Sequence, residues 1–123
     1  MLTDSKAFSG FAVKDIEAAK AFYGDTLGIE TSEENGLVTL HFAGDRPTLI
    51  YPKPDHEPAA YTILNFPVED IDAAVDALME RGVAFEIYEQ SGQDEKGVMR
   101  QYGPPIAWFR DPAGNILSVI QLD

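Results

Sequence analysis

The segment Asp15-Ile-Glu-Ala-Ala-Lys-Ala-Phe-Tyr23, running on to Leu27-Gly28, returns as Asp70-Ile-Asp-Ala-Ala-Val-Asp-Ala-Leu78, running on to Arg81-Gly82. Each copy follows an apolar run, Phe11-Ala12-Val13 in one and Leu64-Asn65-Phe66-Pro67-Val68 in the other. Asp15 and Asp70 stand 55 positions apart and Gly28 and Gly82 stand 54 apart, so the second helix is one residue shorter. A repeat of about half the chain fixes the architecture, because one supersecondary unit must be used twice. Two half-domains of one shape are expected to leave a groove between them, and a ligand is expected there.

The chain of 123 residues suits a single domain, 1–123, with one hydrophobic core and no need of metals or disulfides. With no cysteine, thiolate metal sites, disulfides and Cys nucleophiles are excluded. Nine basic residues against twenty-one acidic ones give a net charge of −12, a field that repels nucleic acid and anionic lipid and favours cationic partners. The acids are scattered, as on a solvated surface. No apolar run is long enough to cross a bilayer, and Met1-Leu2-Thr3-Asp4 lacks the basic, then apolar, start of a signal peptide. The expected setting is cytoplasmic, with no membrane partner.

Phe8 to Val13 reads as a strand ending at an Asp suited to cap a helix. From Asp15 to Gly28 the apolar residues Ile16, Ala19, Phe22, Tyr23 and Leu27 form a helical stripe; in the second copy Ile71, Ala74, Val75, Leu78 and Met79 do the same. Gly28 and Gly82 are natural stops. Three strand candidates follow each helix: Ile29–Ser32, Leu37–Phe42 and Thr48–Tyr51, then Phe85–Glu89, a stretch within Val98–Phe109, and Ile116–Gln121. The expected fold class is α+β, two tandem βαβββ modules over 7–53 and 61–122. Residues 52–60, with three prolines, read as a stiff linker. Gln90 to Gly97 is polar and glycine-bearing, an ordinary solvated connection or a mobile loop.

Two such modules, with Phe22-Tyr23…Leu27-Gly28 in the first and Trp108-Phe-Arg-Asp-Pro-Ala-Gly-Asn-Ile-Leu117 in the second, resemble the vicinal oxygen chelate superfamily. Glyoxalase I, extradiol dioxygenases, fosfomycin-modifying enzymes and bleomycin-resistance proteins belong to it. The resemblance spans Phe8 to Gln121 and implies a curved-sheet, glyoxalase-like domain. It also implies a divalent metal held by His and Glu from both modules, and commonly a homodimer. In each module a His commonly stands seven residues before the capping Asp; here Phe8 and Ile63 stand there. The Glu commonly found three residues after the Gly-Asn of the last turn is here Ser118, and its counterpart in the first module falls near Leu49. None of the four offers a metal-binding side chain.

Only two histidines exist. His56 lies in the linker, and His41 alternates with Val38, Leu40 and Phe42 on Leu37–Phe42, so Thr39 and His41 are expected on the face away from the helix. The expectation is therefore no metal and no cofactor.

Aligning Phe42 with Phe109 pairs His41 with Trp108, one from each module, as matched points of the presumed groove. Asn65 interrupts an apolar strand with the parity of Ile63 and needs a hydrogen-bond partner, protein or ligand; Ser118 shares that logic. Arg100 could clamp an anion or pair with surface acids. Tyr51 and Tyr102 offer stacking faces, and Trp108 is either core filler or a ligand contact. The candidate ligand-binding residues are thus His41, Tyr51, Asn65, Arg100, Tyr102, Trp108 and Ser118. No nucleophile–base–orienter set, glycine-rich phosphate loop or paired carboxylate is visible, so no catalytic residue is assigned.

The expected function is metal-independent binding of a small amphipathic or cationic molecule, similar to the bleomycin-resistance branch, with aromatics and surrounding acids suiting a cationic ring. The alternative is a metalloenzyme of the same superfamily (lyase, isomerase or dioxygenase) with ligands at other positions. An interaction module with no small ligand is the third.

Overall fold

Two repeated caps set the frame. The Asp15 carboxylate accepts the backbone N–H of Glu17 at 3.0 Å and of Ala18 at 3.2 Å, and that of Asp70 accepts the N–H of Ala73 at 3.1 Å. The computed structural model describes residues 1–88 and 91–122. The chain parts into two units, Met1–His56 and Glu57–Asp123, with the boundary inside the proline-rich segment.

The first unit runs β1 (Ser9–Val13), α1 (Ile16–Lys20), a π-helical stretch (Ala21–Thr26), β2 (Glu30–Glu34), β3 (Leu37–Phe42) and β4 (Arg46–Pro52). The sheet order is β1-β4-β3-β2, with β1 parallel to β4 and the other pairs antiparallel. Val38, Leu40 and Ile50 are fully buried along with Tyr23, which packs on Phe11 and Phe22 at 5.6 and 5.2 Å between ring centroids. The sequence predicts one regular helix from Asp15 to Gly28; the structure widens its second half, where the N–H of Leu27 reaches the carbonyl of Phe22, five residues back, at 2.9 Å. The residue by which this copy exceeds the other is accommodated by the wider turn.

The second unit runs β5 (Thr62–Val68), α2 (Ile71–Glu80), β6 (Ile106–Arg110) and β7 (Ile116–Gln121). The order is β5-β7-β6, with β5 parallel and β6 antiparallel to β7. Ile71 and Val75 of α2 are fully buried, and the N–H of Ile71 donates to Gln121 Oε1 at 2.9 Å, so the helix covers the sheet face that carries Gln121. By alternation that face also carries Leu117 and Val119, with Ala107 and Phe109 beside them. The Asp111–Asn115 turn is closed by the nearly buried Asp111 carboxylate. It accepts the N–H groups of Ala113 and Asn115 at 2.9 and 2.8 Å and the Asn115 side-chain amide at 2.9 Å.

The strand expected at Phe85–Glu89 is a single bridge, Phe85 to Phe109, in the structure; Glu89 lies outside the described residues, as does Gln90 of the polar loop. The reason is Gln93. Its amide nitrogen donates to the carbonyls of Glu86 and Gly97 at 2.8 and 2.7 Å, and its oxygen accepts the N–H of Tyr88 at 2.7 Å. One side chain thus serves backbone groups that a neighbouring strand would otherwise serve. Similarly, Val98–Phe109 forms a strand only from Ile106, because Pro104 and Pro105 have no N–H to give; before them only Met99 bridges, to Ile106.

Candidate functional site

In the second unit the sheet face away from α2 carries a row set by register: Asn65 opposite Ser118 and Ser118 opposite Trp108. The Ser118 hydroxyl, wholly buried, donates to Asn65 Oδ1 at 2.5 Å, while Asn65 itself is exposed. The Trp108 indole N–H donates to Thr62 Oγ1 at 3.1 Å, and the Tyr88 ring packs edge-on against the indole at 5.8 Å. Farther along β6 on the same face, Arg110 Nε donates to Glu86 at 2.7 Å and Nη1 to the carbonyl of Gly114 at 3.0 Å. The bond to Glu86 raises the Arg110 pKa above its ordinary value.

Thr62 and Tyr88 are contributors that sequence reasoning missed. Strict alternation sets Thr62 on the face opposite Asn65. A register shift between Thr62 and Leu64 instead pairs Thr62 with Ile116, on the Ser118 face. Tyr88 comes from the segment that Gln93 holds. No spacing signal marks either one.

In the first unit the helix-free face carries Thr39, His41, Leu49 and Tyr51 by alternation, and Tyr51 is 42% exposed. His41 is exposed, with Nε2 2.7 Å from Ser32 Oγ on the neighbouring strand. A serine hydroxyl beside an imidazole is two-thirds of a nucleophilic triad, but among the described residues no carboxylate bonds His41 to orient it. Beside this pair, Phe8, Thr39, Pro47 and Leu49 line a half-open hollow of about 190 Å³.

Arg100 and Tyr102 stand differently. Arg100 Nη2 donates to both oxygens of Asp72 at 2.8 and 3.0 Å and lies 3.5 Å from Asp94, binding its loop to the first turn of α2. The bond to Asp72 raises the Arg100 pKa. Tyr102 is 81% exposed. Among the described residues neither hydrogen-bonds a member of the Asn65–Ser118–Trp108 row.

The residues do not fit the metal that the resemblance implies. Phe8 and Leu49 line an apolar hollow, Ile63 has no donor atom, and the Ser118 hydroxyl is given to Asn65. Among the described residues no three His, Cys, Asp or Glu side chains converge. No helix is long and apolar enough to cross a membrane among the described residues.

The model of one protein family, the Glyoxalase/Bleomycin resistance protein/Dioxygenase superfamily, matches residues 7–119. No curated protein matches the sequence. Among solved structures, TnmS3, an antibiotic binding protein from Streptomyces sp. CB03234, is 25% identical with a TM-score of 0.71, the match covering 97% of this chain and 98% of that one. A member of the same superfamily from Sphaerobacter thermophilus DSM 20745 is 27% identical, TM-score 0.68, with 94% and 95% covered. The fosfomycin resistance protein FosX from Mesorhizobium loti, 12% identical over 98% and 93% with a TM-score of 0.67, shares the fold alone.

Proposed function

Because this chain belongs to the Glyoxalase/Bleomycin resistance protein/Dioxygenase superfamily, we propose that it binds a small molecule without a metal, holding an amphipathic or cationic ligand against the helix-free sheet faces. The observation that carries this is the Asn65–Ser118–Trp108 row. At Ser118, where the family commonly has a carboxylate, a hydroxyl is spent inside the protein on Asn65, and the neighbouring indole is fixed by Thr62. A fixed aromatic beside an exposed amide suits a ligand with a ring and a polar group. The charge of −12 favours a cationic ring. The antibiotic-binding relative from Streptomyces supports a sequestering role rather than a chemical one. His41, Tyr51, Arg100 and Tyr102 are further proposed contacts, Arg100 only after release from Asp72. A cytoplasmic homodimer is part of the same proposal.

Trp108 is the only tryptophan, so its fluorescence reports this face directly. Titration with a panel of cationic aromatic compounds should give a saturable change in that fluorescence, and Trp108→Phe should weaken the same compounds in calorimetric titration. Indifference to the whole panel, together with stoichiometric uptake of Ni²⁺, Co²⁺, Zn²⁺, Mn²⁺ or Fe²⁺, would favour the metalloenzyme instead.

A further inference from the structure

We infer that the hollow formed by Phe8, Thr39, Pro47 and Leu49 is a subsite for a neutral, single-ring apolar group bearing one hydrogen-bonding substituent; this rests on the ligand-binding function proposed above and specifies the uncharged end of the ligand.

Size comes first. A dry apolar cavity of about 150 Å³ suffices to hold benzene, and this hollow measures about 190 Å³. One ring with one small substituent fits; a fused system fits only by leaving part of itself outside. Polarity comes second. Phe8, Pro47 and Leu49 contribute hydrocarbon, and among the described residues Thr39 is the one lining residue with a polar side-chain atom. Among the described residues no charged side chain lines the hollow, so a cation placed in it would lose part of its hydration without a counter-charge. Construction comes third. Leu49 belongs to β4 and Thr39 to β3, directly opposite each other, so the floor is a registered cross-strand pair. Phe8, 63% exposed, forms a wall with area left to cover. Gly10 lets β1 approach, since a Cβ there would meet the Leu49 carbonyl oxygen at 2.8 Å. Phe8 holds, and Leu49 lies near, a position where the resemblance implies a metal ligand, and both present hydrocarbon to the hollow.

The test uses p-cresol as neutral probe and phenyltrimethylammonium as cationic probe, followed by ¹H–¹³C methyl spectra and Trp108 fluorescence on the full chain. The expected result is saturable p-cresol shifts at the Leu49 and Thr39 methyls, with phenyltrimethylammonium leaving those methyls unmoved. Leu49→Phe, which fills the hollow, should weaken p-cresol at least tenfold. Thr39→Val, nearly isosteric, should weaken p-cresol several-fold and leave toluene unchanged; it keeps the inference testable if Leu49→Phe fails to fold. Unchanged p-cresol affinity in either folded variant, or shifts that bypass Leu49, overturns the subsite. If Trp108 still responds saturably to the cation while Leu49 is silent to p-cresol, the subsite alone falls; if neither probe binds anywhere, the ligand-binding function falls with it.

Discussion

Thr62→Val removes one hydroxyl and keeps the β-branched shape, so it isolates the bond that fixes Trp108. An intramolecular hydrogen bond contributes about 0.5–1.5 kcal/mol net. Thr62 and Trp108 are both half-buried, so the freed indole N–H regains water in part, and the expected loss is about 0.5–1 kcal/mol. For a chain of this size that corresponds to a fall of roughly 2–5 °C in Tm. Packing changes blur a single substitution, and the clean readout is therefore the double-mutant cycle with Trp108→Phe, measured by urea unfolding. The two substitutions should couple by about 0.5–1 kcal/mol, outside the roughly 0.3–0.5 kcal/mol scatter of independent sites. In parallel, Thr62→Val should loosen the indole, seen as lower Trp108 fluorescence anisotropy. Additive substitutions with unchanged anisotropy would refute the pinning of Trp108, and with it the register shift that brings Thr62 to that face.

Asp111→Ala removes the carboxylate that accepts two backbone N–H groups and one Asn115 side-chain bond near the interior, and should cost about 3 kcal/mol by urea unfolding; a loss under 1 kcal/mol would contradict that reasoning. Gln93→Leu should speed hydrogen exchange at the Tyr88 amide by more than tenfold while leaving α2 protected, and equal protection would mean another group holds that segment. Burial pushes the Asp94 carboxyl up, but the N–H groups of Val98 and Lys96 and the nearby Arg100 outweigh it, and its pKa is lowered on folding. A depressed folded-state pKa stabilises above the unfolded value of about 3.9 and is lost as pH falls through the folded value. The loop around Asp94 should therefore lose exchange protection only below about pH 4, and loosening already near pH 6 would contradict this.

The frame of the fold was legible because it rests on local chemistry. Asp15 and Asp70 cap the helices as their composition predicts, and alternation located β3 and β7 to the residue. Asn65, Ser118 and Trp108 share a row because each lies in a regularly alternating stretch. What escaped depends on partners distant in sequence. Thr62 changes face through a register shift, Ser32 meets His41 only through β2–β3 pairing, and Gln93 replaces a strand by side-chain bonds. The π-helical stretch had a trace in the sequence, the unequal copy lengths, but length alone does not say where an extra residue goes.

The central claim is that this member of a metal-using superfamily grips its ligand with side chains alone. Native mass spectrometry of protein purified without chelator, paired with elemental analysis, tests it on one sample. The account predicts an organic adduct, or capacity for one on adding a cationic ring compound, with divalent metal far below one equivalent. One tightly held divalent ion per chain, surviving dialysis and required for the adduct, would contradict it.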